Sequence, residues 1–397
     1  MSRKNNTISV AIAGDICMRD LTEVMDAEFS KNALKEVQPI LDKADVRLIN
    51  LENAIIDGGT AIHKSGPPLK GSPKNLVFLK EGRFDCAILA NNHVGDYGEE
   101  GVYSTLEALD KEGIAHVGAG RNLDESYLPW YYEANGCKLA VIAVCENEFG
   151  IAEADKAGTA GFDIYRVFHA IKNAKVNADF VLVVMHGGNE YNPVPSPRVV
   201  SRYRMFVDFG ADAVVGMHPH CMQGFETYNN APIVYSTGNF LFSKSNVDDD
   251  KNPWYYGYLP FITFEKGKLP VLEVFPYRFN VECTLISPFT GKEKEIMLSY
   301  LAEISKPLKD EELLKKFFMG WCIISGIPHA NRMMFKPEYV DEPEFPTGHP
   351  LLAIRNMYTC EAHNELMTVF FKMLADGKLD IGRSMVDEIK RLQKMPI

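Results

Sequence analysis

Short apolar runs, each ending abruptly in a polar residue, punctuate the first 235 positions of the chain. Residues 7–13, 45–51, 84–90, 138–145, 180–185 and 213–216 are rich in Val, Ile and Leu and too short for buried helices, so they predict strands. Between them the apolar period changes to that of a helix, over 31–42, 99–111, 164–175 and Pro197–Phe209. Gly113 lies just past the second of these helices. Ser196 is placed to cap the fourth and Gly210 to stop it. Strands alternating with helices predict α/β layers around a partly parallel sheet.

Beyond residue 220 the alternation stops. Strands are predicted at 224–228, 233–235, 259–265 and 271–277, the last two joined by a turn at Lys266-Gly267-Lys268. No helix separates them, so a second, mixed or antiparallel sheet is expected. Helical spacing returns at 298–304, 310–324, 351–375 and 384–394, around a Pro-rich irregular stretch at 328–350. The Gly- and Pro-rich stretch 64–73 reads as a loop. The expected organisation is an α/β unit over 1–290 followed by a helical appendage over 291–397.

Composition narrows the classes. Hydrophobic residues make up 46% of the 397, ample for a core, and the net charge is -11. An acidic chain is a poor bulk partner for nucleic acid or anionic lipid but is compatible with divalent cations. The eight cysteines contain no C-x-x-C pair, and Cys86, Cys137, Cys145 and Cys221 sit in apolar runs, as buried thiols do. The polar start leads directly into the first strand without a signal-peptide core, and no apolar run approaches membrane-spanning length. A cytoplasmic protein without a membrane span or nucleic-acid partner is the expectation. The acidic run at 248–250 reads as a solvated loop.

The chemistry lies at the strand ends. Asp15, Glu52, Asn91-Asn92-His93, His186, and His218 with His220 each follow an apolar run. In open α/β sheets, ligands bind outside the carboxyl ends of the strands. Taken as extended backbone, the pair His218-x-His220 would aim both imidazoles to one side. Imidazole and carboxylate together suit divalent ions, and this set could hold two, with Glu52 as the bridge. His63, His116, His169, His329, His349 and His363 lack that context and read as ordinary histidines. Arg198, Arg202 and Arg204 read as a charged helix face, and Trp254-Tyr255-Tyr256 as packing.

Six motifs then appear in order: Gly14-Asp15; Asn50-Leu51-Glu52-Asn53; Ala90 to His93 with Asp96-Tyr97-Gly98; His186 to Tyr191; Gly216 to His220 with Gln223 and Glu226; and Tyr235 to Phe240. Over about residues 7 to 245 this pattern resembles the poly-γ-glutamate capsule synthesis (CapA-like) family, which is similar to the calcineurin-like metallophosphoesterases. The resemblance implies a four-layer α/β/β/α sandwich holding one or two divalent ions, with Mn, Zn or Fe expected. One ion would be held by Asp15, Glu52 and His220, the other by Glu52, Asn92, His186 and His218. His93 would be the general acid. Cys17 stands where the phosphoesterases carry a histidine. Asn91, Glu190, Glu226, Asn239 and Cys17 are the expected supporting residues. The implied activity is hydrolysis of a phosphoester or a γ-glutamyl amide, with a small-molecule or polyglutamate substrate. The alternative is a non-catalytic accessory that binds metal and polyglutamate.

Overall fold

The structure, a computed structural model, describes residues 6–243, 249, 251–342 and 344–397. Of the acidic run, Asp248 and Asp250 lie outside the described residues. The strands of the two large sheets are, in chain order, β1 Thr7–Cys17, β2 Val46–Leu51, β3 Cys86–Ile88, β4 Ala115–Val117, β5 Trp130–Ala134, β6 Cys137–Cys145, β7 Phe180–His186, β8 Ala213–Met217, β9 Phe225–Tyr228, β10 Ala231–Val234, β11 Asn239–Phe242, β12 Tyr256–Glu265, β13 Val271–Phe279 and β14 Ile286–Pro288. The helices that matter for the site are α1 Ala27–Leu34, α2 Leu76–Glu81, α3 Gly98–Glu112, α4 Ile164–Asn177, α5 Pro197–Phe209, α6 Gly291–Ile304, α7 Glu311–Ala330, α8 Pro350–Thr359, α9 Glu361–Ala375, α10 Leu379–Arg383 and α11 Val386–Leu392.

One sheet has the order β14-β13-β12-β1-β2-β3-β4, with β11 also paired to β1. Its β1, β2, β3, β4 and β11 run parallel, while β12, β13 and β14 are antiparallel additions. The other sheet has the order β9-β10-β8-β7-β6-β5, parallel in the middle with antiparallel β5 and β9 at its edges. The sheets pack face to face, with the rings of Phe180 on β7 and Phe264 on β12 stacked at 5.1 Å. Helices α4 and α5 cover the second sheet and α3 packs on β4 of the first, with α1 and α2 packed together beside it. The result is a four-layer α/β/β/α sandwich. The apolar spacing of each helix gives it one buried face, such as Val199, Val200, Tyr203, Phe206 and Val207 on α5.

The strands after 220 do not form a sheet of their own. β9 and β10 extend the second sheet, and β12, β13 and β14 extend the first. Helical spacing over 31–42 resolves into α1 and a separate turn at Gln38–Leu41, with Pro39 seated in its first turn, where a missing N–H costs nothing. The expected helix over 351–375 is two, because the Glu146 carboxylate accepts a hydrogen bond from the Ala362 N–H at 3.1 Å and so starts α9 afresh. Helices after 290 gather around α7, which also packs on α5. Their apolar residues, Phe318, Trp321 and Leu366 among them, are continuous with the core of the sheets.

Candidate metal centre

Parallel strands point their carboxyl ends to one edge, and register then sets which residues meet there. In the first sheet Asp15 lies opposite both Asn50 of β2 and Asn239 of β11. In the second, His186 lies opposite Cys145 of β6 and Met217 of β8. Glu146 and His218 therefore follow directly beside His186. Gly14 makes the first of these placements possible. A Cβ there would overlap the Gly238 carbonyl oxygen, so only glycine lets β1 approach the turn before β11.

The two faces of the cleft bring their donor atoms together. His186 Nε2 lies 3.0 Å from Asn92 Oδ1, 3.1 Å from His218 Nδ1 and 3.5 Å from Glu52 Oε1. His220 Nε2 lies 3.6 Å from the same Glu52 oxygen, and its Nδ1 lies 3.6 Å from Asp15 Oδ2. Ligands about 2.1 Å from a shared ion sit about 3.0–3.4 Å apart, so these spacings suit a common cation. The sets Glu52, His186, His218 and Asp15, Glu52, His220 each converge within 4.8 Å, with Glu52 common to both.

The H-x-H pair reaches the cleft by a different route from strand alternation. β8 ends at Met217, and His218 and His220 adopt positive φ, +99° and +53°. This turn, rather than an extended strand, aims both rings inward. Non-glycine residues with such backbone are strained, and strain of this kind gathers at functional sites.

Burial dominates the electrostatics of the cleft. Burial, with help from Glu52, pushes the Asp15 carboxyl up to about 7. Burial also pushes Glu52 well above the carboxylate range, with Glu190 and Glu148 adding repulsion. Burial pushes His186 and His218 down to about 4 and His220 well below the usual imidazole value. The imidazoles are thus neutral at pH 7, the state in which they can donate a lone pair to a metal. They do not supply the charge that Glu52 needs. Both Glu52 oxygens are fully buried and accept no hydrogen bond from any described residue. A buried carboxylate is stable only when paired or coordinating a cation, and this donor set fits a divalent one.

The supporting residues divide. Asn239 Oδ1 lies 2.8 Å from His220 Nδ1 and is itself held through Nδ2 to the Trp254 carbonyl at 3.0 Å. It thereby fixes the tautomer that leaves Nε2 facing Glu52. Glu190 stands exposed at the mouth, within 4.8 Å of donor atoms on His218 and His220. Asn91 shapes the loop by accepting from the His93 and Val94 N–H groups. Cys17 is fully buried in the apolar core, and burial pushes its thiol far up, so it packs as a thiol. Glu226 does not support an imidazole. Strand β9 carries it back onto α5, where both its oxygens bind Arg204 at 2.8 Å and one accepts from Tyr235.

His93 lies beside the set, its Nδ1 2.7 Å from Asp96 Oδ2, with the buried Lys64 ammonium 3.3 Å away. Burial and Lys64 push its pKa down while Asp96 opposes them. His363 is not an ordinary surface histidine: its Nε2 lies 3.8 Å from Glu148 and its Nδ1 lies 3.2 Å from His329. Glu148 in turn accepts from Asn92 at 2.7 Å. Glu146 and Glu148 follow the apolar run 138–145 as the other donors follow theirs, so the same strand-end signal marks them. Arg198 and Arg202 reach Glu146 at 2.6 and 3.3 Å, so they form a buried ion network rather than a solvated face.

The family model for the bacterial capsule synthesis protein PGA_cap matches residues 9–244, the segment that carries every residue of the two ligand sets. The chain belongs to the PGA_cap family. Its relatives include the capsule biosynthesis protein CapA of Bacillus anthracis, 31% identical over 252 residues, covering 61% of each chain. The PGA biosynthesis protein CapA of Bacillus subtilis is 32% identical over 251 residues, covering 60% of this chain and 64% of that protein. The matched region thus spans less than two thirds of either relative. A 5′-nucleotidase precursor from Thermus thermophilus superposes at a TM-score of 0.43 and 13% identity, over 76% of this chain and 59% of that one. No helix among the described residues is long and apolar enough to cross a membrane.

Proposed function

We propose that this PGA_cap chain is a divalent-cation-dependent hydrolase acting on a phosphoester or a γ-glutamyl amide. The observation that carries the reading is Glu52: a fully buried carboxylate without a hydrogen-bond donor among the described residues, shared by two converging ligand sets. Asp15, Glu52 and His220 would hold one ion, and Glu52, Asn92, His186 and His218 the other. Mn, Zn and Fe all suit this mixture of imidazole, amide and carboxylate. A cation bound there supplies Lewis acidity and positive charge where negative charge develops on oxygen.

The chain's own residues supply the rest. His93 is the general acid. Asp96 holds its Nδ1, so Nε2 is the nitrogen that gives a proton to the departing oxygen or nitrogen. Lys64 keeps the Asp96 charge paired within the protein. Asn239 keeps His220 oriented. Trp254 and Phe242 pack on the His220 ring at 4.8 and 5.1 Å and exclude water from its far side.

A second reading, a non-catalytic accessory that binds metal and polyglutamate, draws on one relative. A probable polyglutamine synthesis accessory protein of Mycobacterium tuberculosis is 28% identical over 210 residues. One experiment separates the readings: chelator-treated protein reloaded with Mn2+, Zn2+ or Fe2+ and assayed on p-nitrophenyl phosphates and γ-glutamyl peptides. Metal-restored turnover supports the hydrolase. No turnover with any metal, alongside metal-dependent binding of oligo-γ-glutamate, selects the accessory.

A further inference from the structure

The amide of Asn92 has two ends, and only its oxygen can ligate a cation. Which end faces the cleft is decided by what the other end meets. Asn92 Nδ2 donates to Glu148 Oε2 at 2.7 Å, while Oδ1 lies 3.0 Å from His186 Nε2. An ionised carboxylate only accepts, so Glu148 selects the orientation that turns the amide oxygen inward.

Glu148 is held from outside the family segment. Its Oε1 accepts from Asn356 Nδ2 at 2.9 Å, and His363 Nε2 lies 3.8 Å from the same oxygen. Asn356 belongs to α8 and His363 to α9, both beyond residue 244, where the family match ends. The same helices clamp the rest of this loop. Glu361 accepts from the backbone N–H and the side-chain amide of Asn147 at 2.8 and 2.9 Å.

We infer that Glu148 is a positioning residue for Asn92, and that Asn356 and His363 hold Glu148 in place. The C-terminal helices are therefore a working part of the cation centre. This inference rests on the reading of Asn92 as a cation ligand. Residues that orient metal ligands typically change affinity by about 10–100-fold when removed, and that is the effect expected here.

The test is Mn2+ titration of the full chain by calorimetry, with the Mn2+ electron paramagnetic resonance spectrum recorded at saturation. Glu148→Ala is expected to weaken Mn2+ binding by about 10–100-fold and to alter the spectrum. Glu148→Gln, whose amide oxygen can still accept from Asn92, is expected to recover much of the loss. The double variant Asn356→Ala, His363→Ala is expected to fall between them. Glu226→Gln damages a half-buried ion pair elsewhere and is expected to bind Mn2+ as the wild type does. If Glu148→Ala does not fold, Glu148→Gln and the double variant carry the comparison. Wild-type affinity and spectrum in the Glu148 variants and the double variant would overturn the inference alone. No Mn2+ binding by the wild type would overturn the metal reading and this inference with it.

Discussion

Replacing Glu52 by Gln gives opposite predictions for a structural carboxylate and for a cation bridge. The substitution keeps shape and volume and exchanges an ionisable oxygen for an amide nitrogen. Among the described residues none donates to Glu52, and it sits beside Asp15, which burial and Glu52 together push up to about 7. Because burial pushes Glu52 well above the carboxylate range, without a cation it must take up a proton to fold near pH 7, at a cost of about 1.4 kcal/mol for each pH unit above its unfolded pKa, which glutamine does not bear. In chelator the variant should therefore melt at or above the wild-type temperature. With cation the order reverses. A ligand at about one hundred times its Kd stabilises the folded chain by about 2.7 kcal/mol. At roughly 2–4 °C per kcal/mol for chains of 150–250 residues, and proportionately less for 397, the wild type should rise by about 3 °C on adding Mn2+. Glu52→Gln should lose most of that rise. Differential scanning fluorimetry in EDTA and in a Mn2+ series reads both numbers. A variant that melts well below the wild type in EDTA yet keeps the full Mn2+ shift would refute the reasoning.

Three further outcomes are expected. His93→Asn should lower turnover by about 100- to 10,000-fold, the usual contribution of a general acid, while leaving the Mn2+ melting shift intact; a parallel loss of both would make His93 a ligand or a packing residue. Gly14→Ala should destabilise by about 1–3 kcal/mol, because its Cβ meets the Gly238 carbonyl, and should blunt the Mn2+ response, as read by urea melts with and without metal. Burial pushes the Glu146 carboxyl up, but Arg198 and Arg202 outweigh it and hold it below its ordinary 4.5. A depressed acid stabilises the fold above its unfolded pKa and loses that contribution as pH falls through the folded one. The urea midpoint should thus fall more steeply below pH 4.5 in the wild type than in Glu146→Gln, and equal slopes would discount the ion network.

Much of the sandwich is legible locally. Helix α5 begins and ends where Ser196 and Gly210 place its caps, since the Ser196 hydroxyl accepts from the Val199 N–H and Gly210 takes φ +118°. The strand-end donors meet because parallel strands share an edge, a rule that needs only strand order. Other features depend on partners the local pattern cannot name. Strand β11 exists through its pairing with the end of β1, and β5 through its pairing with β6. The break between α8 and α9 needs Glu146, more than two hundred residues away, and no Pro or Gly marks it. Helical periodicity showed that 351–375 has an apolar face but not that His363 and Asn356 on it reach Glu148. The inward aim of His218 and His220 came from left-handed backbone, a conformation a Met-His-Pro-His sequence does not announce.

Anomalous diffraction from Mn2+-soaked crystals tests the shared role of Glu52 most directly. Two peaks are expected, one enclosed by Asp15, Glu52 and His220 and one by Glu52, Asn92, His186 and His218, with a Glu52 oxygen reaching each. A cleft without any peak, or manganese found only at surface carboxylates, would contradict it.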